Sequence, residues 1–124
     1  MKKYIFLIIL TITLLTGCGT QKLKCTKTEK GTEYDMKYTV EAIIKTGRVK
    51  EVTQEIKYDE EKYAKQYCNV LDRTNSVSDN KIIDYECDKN KVIINNFLEI
   101  EEINDDITRT EFIEKLEKEN YICE

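Results

Sequence analysis

Residues 36–58 read MKYTVEAIIKTGRVKEVTQEIKY, and the alternation in this stretch decides the fold. Met36, Tyr38, Val40, Ala42 and Ile44 fall on one face, while Lys37, Thr39, Glu41 and Lys45 fall mostly on the other. A period of two is that of a strand with one face in a core and the other in water. Thr46-Gly47-Arg48 supplies a short hairpin connection, after which Val52, Ile56 and Tyr58 resume the alternation. Val49 stands out of phase, which predicts a bulge near Lys50. The stretch is therefore an antiparallel hairpin.

Toward the C-terminus the period changes from two to three and four. Ala64, Tyr67, Cys68 and Leu71 recur at helical spacing after Asp59-Glu60-Glu61, which predicts a helix over 60–72 with Asp59 as its N-cap and acids at the positive end of its dipole. Residues 73–80 are rich in Asn, Ser, Thr and Asp and read as a loop. Two further strands, 81–88 and 91 to about 100, are joined at Lys89-Asn90. Thr108 and Glu111 have the spacing of a capping box, and Phe112, Ile113 and Leu116 form the apolar stripe of a closing helix, with Tyr121 and Cys123 ending the chain. Toward the N-terminus, 23–28 reads as a strand that turns at Gly31, and 19–22 as a short polar tether. The sum is an α+β domain over 23–124: an antiparallel sheet of about five strands with two helices on one face, in the order β-β-β-α-β-β-α.

The first 17 residues carry a different pattern. Lys2 and Lys3 precede an apolar run from Tyr4 to Leu15. That run falls short of the roughly 20 residues of a membrane-spanning helix but suits a signal-peptide core. The four residues that follow, Leu15-Thr16-Gly17-Cys18, resemble the lipobox of bacterial lipoproteins at every position. The resemblance implies signal-peptidase recognition at Leu15, Thr16 and Gly17, cleavage before Cys18, and lipidation of Cys18, which becomes the N-terminus of a tether over 18–22. The expected address is the extracytoplasmic face of the cell membrane, held by lipid because two acyl chains suffice for stable attachment.

Cysteine usage agrees with that compartment. With Cys18 committed to lipid, Cys25, Cys68, Cys87 and Cys123 remain, an even number that predicts two disulfides outside the cytoplasm. Four cysteines admit three pairings. Cys68 on the apolar face of a helix and Cys87 in phase with Ile83 and Tyr85 favour Cys68–Cys87, which leaves Cys25–Cys123 to join the two ends. No C-x-x-C spacing and no histidine are present, so neither a zinc site nor any other metal or cofactor is expected.

Charge and chemistry narrow the function. Removing Lys2 and Lys3 with the leader leaves 18 basic residues against 24 acidic ones, which argues against nucleic acid and anionic lipid as partners. The acidic run Glu99, Glu101, Glu102, Asp105 and Asp106 lacks the spacing of a calcium loop, as does the group Asp72, Asn75, Asp79 and Asn80. Tyr38, Tyr58, Tyr63, Tyr67 and Tyr85 could line a groove, although packing in strands and a helix accounts for them more simply. No residues form a catalytic constellation.

The layout of the mature chain, with Lys24-Cys25-Thr26-Lys27-Thr28, the helix around Tyr63 to Cys68, and Phe112-Ile113 to Tyr121-Ile122-Cys123, resembles the YehR-like family of small bacterial lipoproteins. The family has no assigned activity, so the resemblance implies a fold and an address but no mechanism. The expectation is a monomeric, non-enzymatic binding module with an envelope or extracellular partner. The alternatives are an inhibitor of a host or rival hydrolase and a metal-dependent envelope hydrolase.

Overall fold

The computed structural model describes residues 19–79 and 82–124. Strands β1 (Thr20–Lys30), β2 (Asp35–Lys45) and β3 (Arg48–Tyr58) form a meander, followed by helix α1 (Glu61–Val77) and strands β4 (Tyr85–Asp88) and β5 (Lys91–Ile94). Helices α2 (Phe97–Ile100) and α3 (Arg109–Glu117) and the short strand β6 (Ile122–Cys123) complete the chain. The antiparallel sheet runs β4-β5-β3-β2-β1-β6, and its helices pack on one face. The α+β class is as the sequence predicts, with a sixth strand and a third helix added.

The β2–β3 hairpin closes at Thr46 and Gly47, both with positive φ, the conformation that matches strand twist in a two-residue turn. Ile43 opposes Glu51 while Ile44 opposes Val49, so Lys50 is the extra residue of the expected bulge. The bulge returns Val49 to the core side, where it is buried.

Several boundaries differ from the pattern-based expectation. Strand β1 begins at Thr20, opposite Lys45, because β2 offers a full ladder to the tether residues. Helix α1 begins after Glu60, and Asp59 does not cap it. The Asp59 carboxylate instead accepts the Asp35 backbone N–H at 3.2 Å. The helix also runs through the expected loop to Val77. Strand β5 stops at Ile94, and Phe97–Ile100 is helical.

Asparagines make the turns that end these elements. Asn75 accepts the Ile83 N–H at 2.7 Å and donates to the Ile83 carbonyl at 2.8 Å. Asn96 accepts the Asp84 N–H at 2.9 Å and donates to the Ile82 carbonyl at 2.8 Å. Each amide replaces a strand partner for backbone that would otherwise be unpaired.

At the other end of the chain, the Thr108–Glu111 capping box forms as expected. The helix stops through Asn120, with φ 74°, while Tyr121 N–H bonds the Leu116 carbonyl and Asn120 N–H bonds that of Glu117. That paired pattern around a left-handed residue is the Schellman motif. It turns the chain so that Cys123 lies opposite Cys25.

The core has two parts. Leu23, Cys25, Val40, Ala42, Ile44, Val49 and Val52 pack under α2 and α3 against Phe97, Phe112, Leu116 and Tyr121. Ile56, Tyr58, Val92 and Ile94 pack under α1 against Ala64 and Leu71. Disulfides Cys25–Cys123 and Cys68–Cys87 staple these two parts in turn, the pairing that the sequence favours.

Candidate functional site

Among the described residues no helix covers the second face of the sheet, and the strand register assembles that face. Row by row, Lys22, Ile43 and Glu51 stand side by side across β1, β2 and β3, as do Lys24, Glu41 and Thr53. The next row holds Thr26, Thr39 and Glu55, in which Thr39 is only 7 % exposed because its neighbours close over it. Alternation explains why these residues point away from the core: Leu23, Ala42 and Val52, their partners on the opposite face, are buried.

The first two rows form a shallow concavity of about 330 Å³ lined by Lys22, Lys24, Glu41, Ile43, Glu51 and Thr53. Strands lie about 4.8 Å apart, so ammonium groups on β1 and the Glu51 carboxylate on β3 flank Ile43 from opposite sides. Neither lysine pairs with either glutamate, although Lys24 and Glu41 are direct cross-strand neighbours. The result is a half-buried isoleucine floor with two lysines along one side, Glu51 on the other and Glu41 beside Ile43 on the floor strand itself. Such groups have the chemistry to bind and orient a ligand.

The tyrosines have a different surrounding. Tyr58 is buried, with Tyr34 at 5.5 Å and Tyr67 at 6.4 Å between ring centres, and Tyr63 lies 4.4 Å from Tyr34. They pack with Tyr38 and Tyr85 against the core under α1, as their β-propensity predicts. Burial pushes the Tyr38 phenol up to about 12 and raises those of Tyr58 and Tyr67, so all three stay neutral hydrogen-bonding groups near pH 7.

Lys27 is the unexpected member of the core side. Its ammonium sits 4.9 Å from the Tyr38 ring centre and 4.8 Å from that of Tyr121, with the Glu29 carboxylate at 3.3 Å. Only 17 % of the side chain is exposed. Two ring faces and a carboxylate offset the cost of burying the charge, so Lys27 closes the rim of the core.

The acidic groups noted in the sequence are not gathered. Glu99 takes a 3.4 Å hydrogen bond from Asn96, and Asp106 pairs with Arg48 at 3.6 Å. Among the described residues no three His, Cys, Asp or Glu side chains converge on a possible metal position. In the second group, Asn75 serves the clasp on Ile83, and Asn80 lies outside the described residues. The lipobox residues Leu15, Thr16, Gly17 and Cys18 also lie outside them. No described helix is long and apolar enough to cross a membrane.

Sequence reasoning placed Glu41 on the outer face but missed the site as a whole. Alternation marks which residues face outward, yet the rows that bring Lys22 and Lys24 beside Glu41 and Glu51 depend on the register of three strands. The chain matches no protein-family model, no curated protein and no solved structure.

Proposed function

We propose that the chain is a lipoprotein anchored through Cys18 on the extracytoplasmic face of the cell membrane, and that its domain is a binding module presenting the uncovered sheet face. The concavity around Ile43 carries this proposal, since two cations and two carboxylates stand around it without ion-pairing to each other. Charges left open toward solvent beside an apolar floor are what a ligand of mixed charge can satisfy. The anchor is supported by the lipobox resemblance and by two disulfides, which persist in oxidising compartments.

Two measurements test the two parts. Intact mass of protein from its native membrane should show lipid on Cys18 and no free thiol; an unmodified Cys18 refutes the anchor. Replacing Lys22 and Lys24 together by Glu should abolish retention of envelope components by the immobilised domain, while Lys57→Glu on the same face should not. Equal retention by all three proteins refutes the surface.

A further inference from the structure

Strand β1 leaves no tether between the lipidation position and the folded body. Thr20 already pairs with Lys45, and the Thr46 N–H donates to the Gly19 carbonyl at 3.2 Å. Cys18 precedes Gly19 directly in the sequence. Two residues span at most about 7 Å of chain. The headgroup zone of one leaflet has a similar thickness, roughly 5–7 Å, since a bilayer measures about 40–45 Å with headgroups and 30 Å without. A diacylglyceryl thioether holds its sulfur at the base of that zone.

We infer that the β2–β3 turn end of the domain sits directly among the lipid headgroups, making the bilayer surface itself a partner of this end; the inference rests on lipidation of Cys18. Charge is compatible with this seating. Lys45 and Arg109 are exposed at the turn end and make no ion pair among the described residues. The Arg109 backbone N–H bonds the Gly47 carbonyl, which holds the start of α3 beside the turn. The opposite end, at the β1–β2 turn, exposes Glu33, Asp35 and Asp59 together with Lys30, Lys37 and Lys57, so its charge is mixed. At the turn end Asp106 is taken up by Arg48, which leaves Lys45 and Arg109 to meet phosphate headgroups. The concavity begins two residues along β1 from Thr20, so its ligand is met close to the membrane surface.

The chain contains no tryptophan, which permits single-tryptophan reporters. Full-length Lys45→Trp and Glu33→Trp, purified with their lipid, are placed in phosphatidylcholine vesicles containing a nitroxide-headgroup lipid. Eleven residues of β2 separate the two positions, about 35 Å of strand. Emission at position 45 should fall roughly twofold or more, and at position 33 hardly at all, because only the turn end reaches the headgroup zone. A Gly/Ser insert of about 16 residues after Cys18, with a root-mean-square reach of roughly 22 Å, should restore emission at position 45. If the protein floats with the vesicles but both reporters are quenched alike, or the insert changes nothing, the anchor stands and the flush seating is overturned. If the protein does not float, the anchor fails and the seating falls with it.

Discussion

The two parts of the core solve the same packing problem with different materials. Under α2 and α3 the interior is aliphatic and phenylalanine-rich, with Cys25 fully buried in the disulfide that joins the chain ends. Under α1 Ile56, Leu71, Val92 and Ile94 share the interior with Tyr58, a fringe of half-buried tyrosines, a small alanine contact and a disulfide whose Cys87 is exposed on an edge strand. The first part buries one phenol, that of Tyr121, which takes a hydrogen bond from Gln54 at 3.1 Å, whereas the second gathers several phenols and asparagine amides that need partners. Stability should therefore be concentrated in the first part and be more sensitive to solution conditions in the second.

The largest contrast should come from the disulfides. Replacing both Cys25 and Cys123 by Ala releases a loop with a sequence separation of 98 and should cost about 4–5 kcal/mol. The same change at Cys68 and Cys87, separated by 19, should cost about 3 kcal/mol. Urea melts of the two variants measure the difference, and equal midpoints would show that the ends are held by other means. Phe112→Ala, at a side chain 0 % exposed, should cost about 3–5 kcal/mol. Leu71→Ala under α1 should cost about 2–3 kcal/mol, since the site borders a surface that can relax.

Asn75→Ala should cost about 1–3 kcal/mol, because it leaves the Ile83 N–H and carbonyl without their partner. Hydrogen exchange should show the loss of protection confined to the end of α1 and the segment leading into β4. The smallest effect is in pH. Phenols raised by burial above the ordinary value of 10.0 keep their protons after those of the unfolded chain are lost. Their contribution to stability is full below pH 10 and falls as pH rises toward the Tyr38 value of about 12. Thermal melts between pH 9 and 11 should fall, and amides under α1, where Tyr58 and Tyr67 outnumber the raised phenol of Tyr121 in the first part, should lose protection first; uniform loss would remove the distinction between the two parts.

How much of this was legible depends on whether local residues or distant partners make each decision. The β2–β3 hairpin was read correctly, bulge included, because its alternation and turn are written into adjacent residues. Capping by Thr108 and Glu111 was legible for the same reason. The disulfides followed from facing directions that period alone supplies. Residues 73–77 read as loop because Asn, Ser and Thr compete with helical backbone. There Thr74 bonds back to the Val70 carbonyl and Ser76 to that of Arg73, while Asn75 bonds across to Ile83, so their side chains support the helix end. The apolar run 92–100 gave no local reason to stop a strand at Ile94. Asn96, by holding Ile82 and Asp84, turns the chain there through partners more than ten residues away. The proposed binding surface was hidden for a similar reason, since Lys22 and Lys24 are unremarkable in a polar segment until β2 pairs with it.

Strand β1 carries both the residues next to the proposed anchor and the lysine wall of the concavity. Under tension between the bilayer and anything gripping that wall, force would enter at Gly19 and leave at Lys22 or Lys24, passing along a few residues braced by the ladder to β2. Apart from Leu23, the core would lie beyond the loaded segment, as would the described helices and both disulfides. Anchored and gripped as proposed, the domain would be pulled through this short segment while most of its interior stays mechanically idle.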